Sequence, residues 1–177
     1  AEHDEMASSI LISDSAPLIE SVQKHIEQIL PSMPRAEIAG ASIKNRAVMI
    51  YTRNLQESIE IANAIAPEHL EVLTTTPFDT LPYIKHAGAI FLGEHSSEPI
   101  GDYLAGPNHT LPTGGSARFF SPLGVEHFMK KSSIIAFSAT ALEEVGESCA
   151  LLAQSESLSA HAQAVLTRLD SIKSKRE

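Results

Sequence analysis

A carboxylate and an imidazole stand side by side at Glu68 and His69, between a helical pattern and an apolar run. A histidine can exchange a proton near neutral pH, and a neighbouring carboxylate can handle a second proton. A second polar cluster follows at 101–109, where Asp102 and His109 lie among glycine, proline and asparagine. These two segments are the strongest candidates for one site that performs acid–base chemistry.

The chain contains eight histidines, and their surroundings differ. His161 falls on the apolar stripe of a helical pattern, where position alone favours a hydrogen-bonded core histidine over a ligand. His3 has no His or Cys four residues later, so its spacing alone indicates no metal site. The remaining histidines outside the candidate segments lie among polar residues and are predicted to be solvated: His25, His86, His95 and His127.

The common local motifs of metal and nucleotide sites do not occur in this sequence. It contains no CxxC or HExxH spacing, and the glycines at 88 and 93 do not form GxGxxG. Zinc-finger, metzincin and dinucleotide-binding fingerprints are therefore missing. The residues by themselves indicate an α/β domain with a glycine-rich site loop and a candidate acid–base pair.

Apolar runs alternate with helical patterns along the first half of the chain. The runs at 9–13, 47–52, 70–73 and 87–93 predict strands, and helices are predicted to begin near Asp14 and Asn54. This alternation is typical of βαβ units. The predicted fold class is α/β, a Rossmann-like, mostly parallel sheet flanked by helices, with a C-terminal helical appendage.

The pattern changes after Glu94. Residues 94–122 are rich in glycine, proline and serine and lack periodicity, which predicts an ordered, site-forming loop. We therefore divide the chain into an α/β half-domain over 1–122 and a segment over 123–177. The second segment is predicted to hold a short strand at 133–137 and two helices. The inward helix faces are predicted as Leu142, Val145, Cys149 and Leu152, and as His161, Val165, Leu169 and Ile172.

Composition excludes several classes of protein. A formal net charge of −9 argues against a nucleic-acid partner or an anionic membrane surface. No apolar run approaches the roughly 20 residues that a membrane-spanning helix needs. Cys149 is the single cysteine, so no internal disulfide can form, and we expect a cytoplasmic location.

The candidate residues resemble those of histidinol dehydrogenase. The matching segments, in order, are 66–70, 87–93, 101–103, 106–119 and 158–161. The resemblance implies an oxidoreductase that converts L-histidinol through L-histidinal to L-histidine, the last steps of histidine biosynthesis. It also implies NAD and zinc as cofactors, histidinol as the small-molecule substrate, and a zinc-dependent, NAD-linked alcohol and aldehyde dehydrogenase as the enzyme.

The resemblance assigns roles to individual residues. His69 is the general base, and Glu68 activates water for the second oxidation. The zinc ligands map onto His3, Asp102 and His161, whose imidazole and carboxylate donors are appropriate for zinc. The residues implied to contact the substrate are His3, His69, Asp102, His109, Glu156 and His161.

The resemblance also implies that the chain corresponds to a C-terminal portion of such an enzyme. The NAD contacts and a glutamine zinc ligand are expected upstream of Ala1, so this piece alone is expected to be inactive. A homodimer is implied, in which the C-terminal helices of one subunit complete the site of the other. Two alternatives stay open: a non-catalytic metal- or partner-binding module derived from that family, and a metal-dependent hydrolase with His69 as base.

Overall fold

The computed structural model describes residues 1–175 as two compact units that are divided between Phe128 and Met129. The strands of the first unit are β1 (Ile10–Ser13), β2 (Val48–Tyr51), β3 (His69–Val72) and β4 (Ala89–Leu92). Its helices are α1 (Ala16–Ile29), α2 (Ala36–Arg46), α3 (Leu55–Ile65), α4 (Pro77–Thr80) and α5 (Glu98–Tyr103). The helices of the second unit are α6 (Ala139–Ser155) and α7 (Ser159–Ser174). Across residues 1–175, no helix is both long enough and apolar enough to span a bilayer.

The strands pair in parallel, as the alternation of elements predicts. Ile10 lies opposite Val48 in the β1–β2 ribbon, and His69 lies opposite Ala89 in the β3–β4 ribbon. The predicted α/β class with parallel strands is confirmed. The described pairing forms two two-stranded sheets rather than one continuous sheet.

Helix α3 begins just after Asn54, where the sequence predicts a helix start. The Asn54 side chain accepts a hydrogen bond from the Glu57 backbone N–H at 3.0 Å, and the Glu57 carboxylate accepts one from the Arg53 backbone N–H at 2.7 Å. These bonds satisfy donors that a helix start leaves unpaired. Ile59 and Ala62 are buried on the inner face of this helix.

Two elements of the first unit differ from the sequence prediction. Helix α2 was not predicted, because its buried positions are the small residues Ala39 and Ser42, which leave no apolar periodicity. The Ser42 hydroxyl donates to the Ala7 carbonyl at 2.9 Å. Part of the segment predicted as a loop after Glu94 is the short helix α5.

The strand predicted at 133–137 is wrong. These residues form no strand in the structure, and Ile134 and Ile135 are 93% and 81% exposed. A strand needs a neighbour to take its backbone hydrogen bonds, and the described chain pairs no segment with this one. The helix that follows is capped by the Ser138 side chain, which accepts from the Ala141 N–H at 3.1 Å.

The predicted inward faces of the helix pair also need correction. Helix α6 buries Gly146 and Ala150 rather than the predicted Leu142, Val145, Cys149 and Leu152. On helix α7 the predicted Leu169 is buried together with Ala162, Val165 and Ile172 are half-buried, and only His161 is exposed against the prediction. A Cβ at Gly146 would lie 2.9 Å from Leu169 Cδ1. The two helices therefore pack through small residues, which allow a close approach and leave larger side chains outside.

Candidate active site

The backbone around Glu68 and His69 is held between α3 and β4. Helix α3 is followed by Ala66, a buried residue whose positive φ of 52° turns the chain toward β3. The Glu68 carbonyl then accepts a hydrogen bond from the Ala89 N–H at 2.8 Å. A Cβ at Gly88 would lie 2.5 Å from the Glu68 carbonyl oxygen. Glycine is therefore needed at 88 for β4 to approach this segment.

Two carboxylates from α5 lie beside the His69 imidazole. The Nε2 atom of His69 is 3.6 Å from Asp102 Oδ1 and 4.0 Å from Glu98 Oε1. The imidazole side chain is 27% exposed, but its Nε2 atom is buried and has no hydrogen-bond partner in the described structure. The site therefore presents an unpaired ring nitrogen next to two acidic groups.

Contacts with β3 and β4 position α5. The Glu98 backbone N–H donates to the Glu71 carboxylate at 2.9 Å, which ties the start of α5 to β3. A Cβ at Gly101 would lie 2.5 Å from Phe91 Cε1, so only glycine allows α5 this close to the ring. The Phe91 ring centroid is in turn 6.0 Å from that of His69. The hydrogen bond to Glu71 and the close approach to Phe91 together position the short helix beside the imidazole.

Burial and a neighbouring carboxylate perturb the pKa of Glu98. The pKa of Glu98 lies above its ordinary value of 4.5, first because burial disfavours the charged carboxylate and then because the Asp102 carboxylate is close. The neighbouring His69 opposes this rise in the pKa. A cation at this point would relieve the repulsion between the carboxylates.

The donor set of this cluster suits a metal ion. One ligand atom from each of His69, Glu98 and Asp102 lies within 4.8 Å of the other two. An imidazole nitrogen with carboxylate oxygens is an N/O set that zinc accepts in proteins. The residues present are therefore compatible with zinc at or near this cluster.

Sequence reasoning missed Glu98. The acidic residue it placed next to the base was Glu68, but no hydrogen bond or ion pair within residues 1–175 joins Glu68 to His69. Glu98 and Asp102 are four residues apart, which places them on one face of a helix. That spacing was the available signal, and it was hidden by the prediction of a loop.

Arg118 holds the site loop against the end of α3. Its guanidinium donates to the Gly115 carbonyl at 2.8 Å and also to the Ala64 carbonyl. Gly115 has a φ of +81°, a backbone conformation that favours glycine. The loop is thereby anchored within a few residues of Glu68.

Comparison with known proteins decides the family. The family model described as histidinol dehydrogenase matches residues 1–169. The chain belongs to the histidinol dehydrogenase family.

The similarity to individual relatives is high over this chain and partial over theirs. Histidinol dehydrogenase of Sulfurimonas denitrificans is 60% identical over 169 residues, which are 96% of this chain and 39% of that protein. The Wolinella succinogenes protein of the same name is 57% identical over the same length. A crystal structure of histidinol dehydrogenase from Elizabethkingia anophelis matches with a TM-score of 0.90 at 32% identity, covering 98% of this chain and 40% of that one. The chain thus spans about 39% of the length of the curated relatives that it matches.

Of the metal ligands implied for the histidinol dehydrogenase family, Asp102 lies in the cluster described above. His3 is exposed, and its carbonyl accepts a hydrogen bond from Arg35 at 3.2 Å. His3 does not join a group of three potential ligand side chains among the described residues. His109 is also exposed, in the loop that follows α5. The roles of His3 and His109 stay predictions.

The second unit brings Glu156 and His161 to one surface. Both residues line a shallow cavity of about 610 Å³ at the turn between α6 and α7, together with Cys149, Leu152 and Val165. The turn is formed by Ser157, whose φ is +63°. The substrate and metal roles of Glu156 and His161 remain predictions, and the cavity gives these two side chains a common solvent-facing position.

Proposed function

We propose that this chain provides acid–base machinery for the oxidation of L-histidinol through L-histidinal to L-histidine, the last steps of histidine biosynthesis. The observation that carries the proposal is the buried, unpaired Nε2 atom of His69 beside Asp102 and Glu98. This histidine occupies the position that the family resemblance gives to the general base.

His69 acts on the substrate alcohol. Oxidation of an alcohol removes a hydride from carbon and a proton from the hydroxyl group, and NAD is the hydride acceptor. The His69 imidazole accepts the hydroxyl proton, since imidazole exchanges protons near neutral pH. Asp102 and Glu98, at 3.6 and 4.0 Å, stabilise the positive charge that the ring then carries.

Glu68 acts in the second oxidation. Water must add to the aldehyde before a second hydride can leave, and this addition requires an acceptor for the water proton. Because Glu68 makes no described ion pair with His69, its carboxylate is free to serve as a separate acceptor. Two acceptors with different surroundings can divide two proton transfers between them.

We assign His3, Asp102 and His161 as zinc ligands. Zinc, when bound, supplies a Lewis acid that holds the amine and imidazole of the substrate. Glu156 and His109 are assigned to substrate contact. His69 and Glu98 are the competing ligands within the first unit, because they share the Asp102 cluster.

We infer that the NAD contacts and a second subunit are also needed for this reaction. This sequence has no GxGxxG fingerprint, so we infer that the NAD contacts come from regions of the family protein that the chain does not match. We also infer a cytoplasmic homodimer in which the helix pair packs on a second subunit. The exposed apolar residues of α6 support that inference, since Leu151 and Leu152 are 65% and 68% exposed.

A chimaera tests the proposed function. This chain would replace the matching segment of the Sulfurimonas denitrificans enzyme, and NADH formation from L-histidinol and zinc content would be measured on the same preparation. We expect turnover by the chimaera and none by the 177-residue chain alone. A folded, zinc-loaded chimaera without turnover would contradict the proposal and favour a non-catalytic metal- or partner-binding module.

A further inference from the structure

One hydrogen bond joins the loop 106–128 to the rest of the first unit within residues 1–175. It runs from the Arg118 guanidinium to the Ala64 carbonyl. The other hydrogen bonds of this loop stay inside it. For example, the Leu123 N–H donates to the Thr110 carbonyl at 3.0 Å. The loop is therefore an internally bonded body with a single directional attachment among the described residues.

The Arg118 side chain binds two carbonyls at once. Its Nη1 donates to the Gly115 carbonyl at 2.8 Å, while its Nη2 donates to the Ala64 carbonyl. A guanidinium holds its donors in a rigid fork, whereas a lysine ammonium is a point charge on a flexible stem. A Cβ at residue 115 would collide with the guanidinium. This bridge therefore requires both arginine at 118 and glycine at 115.

The Ala64 carbonyl lies in the last turn of α3, where the helix leaves its carbonyls without partners. This end of a helix carries a partial negative charge, which a cation stabilises. Helix α3 has no basic residue in its own last turn. Arg118 supplies the missing cation from a position 54 residues further along the chain.

The helix end that Arg118 binds leads directly into the candidate acid–base pair. Ala66 comes next, with a φ of +52°. A residue other than glycine adopts this conformation at a cost in energy, and the surrounding structure must hold it there. Glu68 and His69 follow within three residues of this turn. The position of Ala64 is thus linked through a short, constrained segment to both candidate proton acceptors.

Apolar packing also attaches the loop, since Pro112 and Ala117 are buried. Burial of apolar surface is non-directional, so it holds a loop against a surface without fixing where it sits. A hydrogen bond is directional and weakens steeply away from its preferred geometry. The bond from Arg118 therefore determines the position of the loop, while packing contributes to its attachment.

We propose that Arg118 is a positioning residue that holds the loop 106–128, and with it His109, in one position relative to Glu68 and His69. It acts through the Ala64 carbonyl. The kinetic part of this inference rests on the proposed function, in which His109 contacts the substrate. The structural part, a loop fixed by the two-carbonyl bridge, does not depend on the reaction.

Kinetics of the chimaera test the positioning role. Arg118→Ala should raise the KM for L-histidinol at least about tenfold and leave kcat and the KM for NAD within about threefold, because a displaced loop loses substrate contacts that are equal in the ground and transition states. Arg53→Ala is the matched control. Arg53 pairs with Glu57 at 2.9 Å near the start of the same helix, so its removal should leave the KM for L-histidinol unchanged.

NMR relaxation of the 177-residue chain tests the bridge without any reaction. In the unsubstituted chain, the backbone amides of His109 and Ser116 should have order parameters of about 0.85, and Arg118→Ala should lower them below about 0.6. Arg118→Lys should lower them as well, because an ammonium keeps the charge but not the fork. The amide of Leu70 in β3 should stay rigid in every variant. Circular dichroism checks that the variants remain folded.

Several results would overturn the inference. Unchanged order parameters of the loop in Arg118→Ala would show that the bridge does not position it. Order parameters in Arg118→Lys equal to those of the unsubstituted chain would reduce the bridge to a charge at the helix end. A fall in kcat with an unchanged KM for L-histidinol would indicate a general structural role. A chimaera without turnover would reject the proposed function alone, and the order parameters would then decide the role of Arg118.

Discussion

Glycine brings two elements close together in both units, but the two close approaches have different results. In the first unit, the absent side chain of Gly101 lets α5 lie against Phe91, and the polar groups of α5 reach His69. In the second unit, the absent side chain of Gly146 lets α6 approach Leu169 of α7. The first approach assembles a polar site, whereas the second makes a tight helix pair.

The difference lies in what surrounds each glycine. Around Gly101 the neighbouring helix positions are acidic, so close packing removes carboxylates partly from water and raises the pKa of Glu98. Gly146 lies against Leu169, and the other buried residues of the helix pair are the alanines Ala150 and Ala162. The bulky Leu151 and Leu152 then face solvent. Close packing places carboxylates beside His69 in the first unit and leaves leucine side chains exposed in the second.

The largest effect we expect comes from replacing one candidate-site histidine in each unit: His69 in the first unit and His161 in the second. In the chimaera, His69→Asn should lower kcat by about 10²- to 10⁴-fold, because it removes the proposed general base, and should leave zinc content unchanged. His161→Asn should instead lower zinc content. Both are measured by NADH formation and by metal analysis of the purified protein. Loss of zinc in His69→Asn would mean that His69 is a ligand, and the base assignment would be wrong.

The helix pair should depend on its single buried leucine. Leu169→Ala is expected to lower the free energy of unfolding of the second unit by about 2–5 kcal/mol, because it leaves a cavity beside Gly146. Leu152→Ala is the matched control, and its 68% exposed side chain should cost no more than about 0.5 kcal/mol. Urea unfolding monitored by circular dichroism gives both values. Equal losses would show that the helices pack through another face.

The close approach of α5 can be tested in the same way. Gly101→Ala should lower the free energy of unfolding of the first unit by about 1–3 kcal/mol, because the added Cβ collides with the Phe91 ring. In a Phe91→Ala background the same substitution should cost much less, and the difference between the two is a coupling energy. Urea unfolding of the four proteins measures it. An unchanged cost in both backgrounds would place the collision elsewhere.

The smallest effect concerns pH. Because the pKa of Glu98 is raised above 4.5 in the folded chain, the folded state binds a proton that the unfolded state has already released. Stability from this group is therefore present below pH 4.5 and is lost as the pH rises through the raised value. Glu98→Gln should flatten this part of the profile, measured by thermal unfolding with a chelator present. The change is small, since water screens a partly exposed carboxyl. A steeper profile in the variant would contradict the direction of the shift.

The sequence predicted the features that depend on neighbours along the chain. Alternating apolar runs and helical patterns predicted the parallel α/β arrangement, and Asn54 predicted the start of α3. Helix α2 was missed because its buried residues are small. The strand at 133–137 was predicted from composition alone, although a strand also needs a partner that local sequence does not specify.

The sequence by itself determined the family and the candidate base, because both can be read from the residue types and their order along the chain. What only the tertiary structure decided was which groups meet. It placed Glu98 and Asp102, rather than Glu68, beside His69, and it paired the strands as two separate two-stranded sheets. The physical reason is that electrostatic contacts and sheet pairing act through space between distant residues. Local patterns encode only each residue's own preference.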